Sequence, residues 1–61
     1  MEQLTIKQIR VGMNMTQKSM ANFLNISAVT YRKKEKGITK FTFDEVRKIC
    51  NKANVSIDLV K

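Results

Sequence analysis

Five times along the chain an apolar residue precedes a serine or threonine, and a second apolar residue follows four positions after the hydroxyl. The five sets are Leu4-Thr5…Ile9, Met15-Thr16…Met20, Ile26-Ser27…Tyr31, Phe41-Thr42…Val46 and Val55-Ser56…Val60. This is the spacing of a helix start. The hydroxyl residue is the N-cap, whose oxygen accepts from an otherwise unpaired backbone N–H, and the flanking apolar pair closes over it as a hydrophobic staple. Thr5 and Thr42 are followed three residues on by Gln8 and Glu45, which completes a capping box at each. One match would say little. Five that tile the chain commit it to short helices and leave no room for a sheet.

The stops agree with the starts. Asn14, Asn25, Gly37 and Asn54 each stand shortly before the next start, and Gly and Asn are the residues that tolerate the left-handed conformation closing a helix. The expected helices cover about 5–13, 16–24, 27–36, 42–53 and 56–60. No segment alternates with period two, so strands are not expected. Helical spacing groups Ile6, Ile9 and Met13, then Met20, Ala21 and Leu24, then Val46, Ile49, Cys50 and Ala53 into one core. The four methionines, Met1 included, read as packing. Phe23 falls at the edge of its helix's apolar face and reads as half-buried, ahead of the alternative that it meets a partner subunit. The expectation is an all-α fold, a compact five-helix domain spanning residues 1–61.

Charge narrows the function. Sixty-one residues carry a net charge of +7. Between Gln3 and Lys34 there are six cations (Lys7, Arg10, Lys18, Arg32, Lys33, Lys34) and no acid. Such asymmetry suits a polyanionic partner, nucleic acid before an anionic membrane. A single cysteine, Cys50, permits no internal disulfide and reads as a small buried apolar residue. With no histidine, neither a structural metal nor a cofactor is expected. Neither a signal peptide nor an apolar run long enough to span a bilayer is present, which points to the cytoplasm. No paired carboxylates at helical spacing and no glycine-rich phosphate loop occur, so an enzyme is not expected.

Residues 17–36 carry the functional signal. Two short helices meet at Asn25-Ile26, Ala21 is small where two helix axes approach, and Ile26 and Tyr31 face the core, as in a helix-turn-helix. The stretch "TQKSMANFLNISAVTYRKKEKG" resembles the Cro and phage-repressor type of helix-turn-helix, the XRE-like family. The matching elements are Thr16-Gln17, Ala21, Leu24-Asn25-Ile26-Ser27 and Glu35-Lys36-Gly37. The likeness extends upstream to Ile9-Arg10 and Met15, and downstream to "NVSIDLV". It departs at Asn25, where Gly is usual, at Ser19, where an acid is common, and at Lys34, where an inward aromatic or aliphatic residue is common. The stem of Lys34 is expected to cover the core edge while its ammonium reaches water.

The resemblance implies a lambda-repressor-like DNA-binding fold whose third helix enters the major groove. Base-reading positions carry over to Ala28, Val29 and Lys33, with Arg32 beside them. Phosphate-contacting positions carry over to Thr16, Gln17, Ser27, Lys36, Lys40 and Thr42. It also implies that Arg10 and Glu35 pair, tying the first helix to the end of the third. At about 100° per residue, positions 28, 29, 32, 33 and 36 share one face of that helix. Ala28 and Val29 cannot hydrogen-bond but can meet thymine methyl groups, and either Lys33 or Arg32 can donate to guanine.

The expected function is sequence-specific binding of double-stranded DNA by a bacterial transcriptional regulator. It would be a Cro-like repressor of a phage or mobile element, monomeric in free solution and dimeric on an operator of two half-sites. Residues near Phe41, with Ile57 and Val60, are candidates for the contact between copies. The rival readings are a small protein-binding module, such as an antirepressor, that reuses the scaffold, and an RNA binder. The second lacks an exposed aromatic platform.

Overall fold

The computed structural model describes residues 3–60. Four helices follow one another, α1 (Ile6–Gly12), α2 (Gln17–Phe23), α3 (Ala28–Glu35) and α4 (Phe43–Ala53), before a 3-10 turn at Ile57–Leu59. Each helix begins where the staple pattern places it. Thr5, Thr16, Ser27 and Thr42 are extended N-caps whose hydroxyl oxygens accept from the N–H of Gln8, Ser19, Thr30 and Glu45. The reciprocal half of the capping box is present at Thr5 and Thr42.

The chain reverses through left-handed residues at Asn14 (φ 59°), Asn25 (φ 61°), Gly37 (φ 84°) and Asn54 (φ 57°). Asparagine bears this conformation better than other side chains do, and glycine at Gly37 bears it without strain.

The staples close on a core of Ile6, Ile9, Met20, Ala21, Leu24, Tyr31 and Ile49, with Cys50 also buried. Leu4, Met13, Met15, Ile26, Ala28, Phe41, Val46, Ala53 and Val60 pack around it. Met1 lies outside the described residues. Phe23 is 38% exposed, close to the half-burial expected, and the Lys52 ammonium sits 5.0 Å from its ring centre.

Two expectations are corrected. The helix placed over 56–60 is a single 3-10 turn, capped by Ser56, after which Val60 is extended. Val60 pairs with Leu4 in an isolated parallel bridge, and the Leu4 N–H donates to the Leu59 carbonyl at 2.6 Å. So short a segment closes too few helical hydrogen bonds to compete with this long-range one. The bridge is the one extended pairing among the described residues.

The second correction concerns Lys34. Its ammonium is bound by the protein itself. It donates to Glu45 Oε1 at 2.8 Å and to the Lys40 carbonyl at 3.2 Å, and its side chain is 12% exposed. Phe41, half-buried, meets Tyr31 edge-on with ring centres 5.8 Å apart. Its ring, like the Val60 side chain, is partly covered by its own chain.

Candidate nucleic-acid interface

The junction between α2 and α3 is rigid because both helices are capped and the turn between them is closed. Ile26 N–H donates to the Ala21 carbonyl at 3.0 Å across the turn. Ala21 is almost fully buried, which lets the two helices pack without a bulky side chain between them. Their outer surface is thereby presented as a unit.

A buried polar network fixes that unit against α1. The Glu35 carboxylate accepts from Arg10 Nε (2.9 Å), Arg10 Nη2 (3.3 Å), Gln17 Nε2 (2.9 Å) and the Tyr31 hydroxyl (2.5 Å). Arg10 Nη1 also donates to the Met15 carbonyl at 2.9 Å. Residues from α1, α2 and α3 thus converge on one carboxylate, and no buried side-chain polar atom lacks a partner among the described residues.

Burial opposes ionisation of Glu35, but the hydrogen bonds from Arg10, Tyr31 and Gln17 outweigh it and hold its carboxyl below the usual range. Tyr31 is pushed well above its ordinary value by burial, helped by its bond to Glu35. Glu45 behaves like Glu35: burial opposes its ionisation, while Lys34 and the Thr42 backbone more than compensate.

The outward surface of α3 carries Val29, Arg32 and Lys33, followed by Lys36 at its C-cap, all exposed. Val29 is 54% exposed although apolar. None of the three cations has an acidic partner among the described residues, whose ion pairs are Arg10–Glu35, Lys34–Glu45 and Arg47–Asp44. Ala28 departs from the expected face. It is half-buried and packs on the core, at the edge of that face. Thr30, which is not one of the five positions of that face, is exposed as well.

The residues expected at phosphates differ in what they still have to offer. Lys36 and Lys40 are exposed. Gln17 is turned toward Glu35, so one N–H of its amide is engaged and the other remains. The Thr42 N–H is donated to Glu45 at 2.8 Å and its hydroxyl oxygen accepts from the Glu45 N–H at 3.2 Å, which removes the Thr42 amide as a phosphate donor. Thr16 and Ser27 donate their hydroxyl hydrogens to Ser19 (2.9 Å) and Thr30 (2.8 Å). The hydrogens left over belong to Ser19 and Thr30, both exposed and neither among the expected phosphate contacts. The available signal was the repeated Thr16-x-x-Ser19 and Ser27-x-x-Thr30 spacing, which pairs two hydroxyls where α1 and α4 pair a hydroxyl with Gln or Glu.

No helix among the described residues is long and apolar enough to cross a membrane. No curated protein and no solved structure shows a significant match to the chain. A profile described as helix-turn-helix matches residues 6–60, nearly the whole chain. Two capped helices joined at Asn25 are the helix-turn-helix of that description. The chain belongs to the Cro and phage-repressor-type, XRE-like family of helix-turn-helix DNA-binding regulators.

Proposed function

We propose that the protein is a sequence-specific repressor of the Cro-like kind, with α3 in the major groove and a second copy on the neighbouring half-site. The observation that carries this reading is the outer face of α3, where Arg32, Lys33 and Lys36 stand exposed with no acidic partner among the described residues, beside an exposed valine. Three unpaired cations on one short helix repel one another, and a polyanion relieves that repulsion.

In this reading Val29 meets a thymine methyl, with Ala28 at its edge, and Lys33 or Arg32 donates to guanine O6 and N7. Lys36 and Lys40 meet phosphates. So do the first turn of α2, through Gln17 and the Ser19 hydroxyl that Thr16 orients, the Thr30 hydroxyl that Ser27 orients, and the Thr42 hydroxyl. Arg10 and Glu35 serve from beneath by holding the helices in place. The apolar side chains left open beside the loop after α3 are Ile38 (67% exposed) and Phe43 (69%). We assign the contact between copies to these, ahead of the half-buried Phe41, Ile57 and Val60.

Lys33→Ala tests the base-reading role. Its affinity for the preferred duplex is expected to fall by about 1–3 kcal/mol, with relaxed preference at one base position. An equal loss on all sequences, measured by binding to a panel of single-base variants, makes Lys33 a phosphate contact instead.

A further inference from the structure

Of the cations on α3 and at its C-cap, Arg32, Lys33 and Lys36 face solvent and Lys34 does not. The partners of Lys34 all lie across the loop that joins α3 to α4. Its ammonium donates to the Lys40 carbonyl within that loop and to Glu45 in the first turn of α4, and it lies 5.9 Å from the centre of the Phe41 ring. Glu45 Oε1 is shared, accepting at 2.8 Å from both Lys34 and the Thr42 N–H. The near end of the loop is held by the Lys33 carbonyl, which accepts from the Ile38 N–H at 2.9 Å and the Thr39 N–H at 3.4 Å. One ammonium therefore ties the last turn of α3 to the middle and far end of the loop, while the side chains of Ile38, Thr39 and Lys40 stay exposed.

Stability alone does not call for this arrangement, because an apolar side chain of similar size fills such a site without the cost of desolvating two charges. What the ammonium adds is direction. Its hydrogen bonds fix the position of one backbone carbonyl and one helix cap relative to α3.

We propose that Lys34 is a positioning residue for DNA binding. It sets where the loop bearing Lys40 meets the phosphate backbone while α3 lies in the groove, and it does not itself touch DNA. This rests on the DNA-binding reading given above.

The test uses the full chain and two short duplexes, one carrying the preferred sequence and one scrambled. Lys34→Met is expected to remain folded at 25 °C, with a lower melting midpoint because Glu45 loses a partner, while binding both duplexes about tenfold more weakly. Its log–log salt slope should be shallower by about 0.9, the equivalent of one phosphate contact. Unchanged affinity and slope in the folded variant overturn the proposal.

A second comparison separates positioning from direct contact. Glu45→Gln and Asp44→Asn each remove one negative charge from the start of α4, and Gln still completes the capping box. Positioning predicts that Glu45→Gln binds more weakly than Asp44→Asn. If Lys34 instead contacts phosphate, releasing it makes Glu45→Gln bind as tightly or tighter, which overturns the proposal. Should Lys34→Met fail to fold, this comparison decides alone. If the unsubstituted protein binds no duplex, the functional reading itself fails, and this proposal with it.

Discussion

Glu35→Ala is expected to leave the protein largely unfolded at 25 °C. The Glu35 side chain is 6% exposed and takes hydrogen bonds from Arg10, Gln17 and Tyr31. Its removal strands a buried guanidinium, at a cost of about 3–5 kcal/mol, and leaves the Tyr31 hydroxyl unpaired, at about 1–3 kcal/mol more. A chain of 61 residues has roughly 3–9 kcal/mol in total, at about 0.05–0.15 kcal/mol per residue. The loss is comparable to the whole. The double replacement Arg10→Met with Glu35→Leu removes both charges and is expected to cost less than Glu35→Ala alone. Urea unfolding followed by circular dichroism measures all three.

Acid should reproduce part of this effect. The carboxyls of Glu35 and Glu45 are depressed in the folded state, so their contribution is complete above the unfolded value of 4.5. It is lost as the pH falls through their folded values, because the unfolded chain then binds more protons. A midpoint that shifts little for Glu35→Ala, and little between neutral pH and about pH 3, would mean that the network does not hold α1, α2 and α3 together.

Val29→Glu is expected to abolish DNA binding without harming the fold. Val29 is the second residue of α3 and is 54% exposed. Glutamate is the better helix former there, and its charge is favoured at a helix N-terminus. The same carboxylate set against DNA meets like charge, a juxtaposition that costs several kcal/mol. Affinity should fall by at least two orders of magnitude while the melting midpoint holds or rises. The milder Val29→Ser should keep the fold and lose preference at one thymine, and replacing that thymine by uracil should weaken the unsubstituted protein alone. A Val29→Glu protein that binds normally removes α3's leading edge from the interface.

Much of the fold was legible because capping is local. Thr5, Thr16, Ser27 and Thr42 announce helix starts through partners three residues away, and Asn14, Asn25 and Asn54 announce the reversals through their own backbone tolerance. What could not be read was the choice of distant partner. Lys34 looks like an inward-facing misfit until Glu45 and the Lys40 carbonyl are seen beside it. Gln17 looks free to meet a phosphate until Glu35 claims one of its N–H groups. The end of the chain was misjudged for the same reason, since the pull of Leu4 on Leu59 and Val60 is invisible in a pattern of local spacings. The basic face of α3 was legible through helical periodicity, with Ala28 at its half-buried edge.

The most direct test of the account is selection by the full chain from a pool of random double-stranded DNA. The account predicts an enriched sequence made of two inverted half-sites with centres about 10–10.5 base pairs apart. Each half-site should hold a guanine and a neighbouring thymine, and retention should weaken steeply as salt is raised. A pool that remains random, or retention indifferent to salt as a protein-binding module could show, contradicts it.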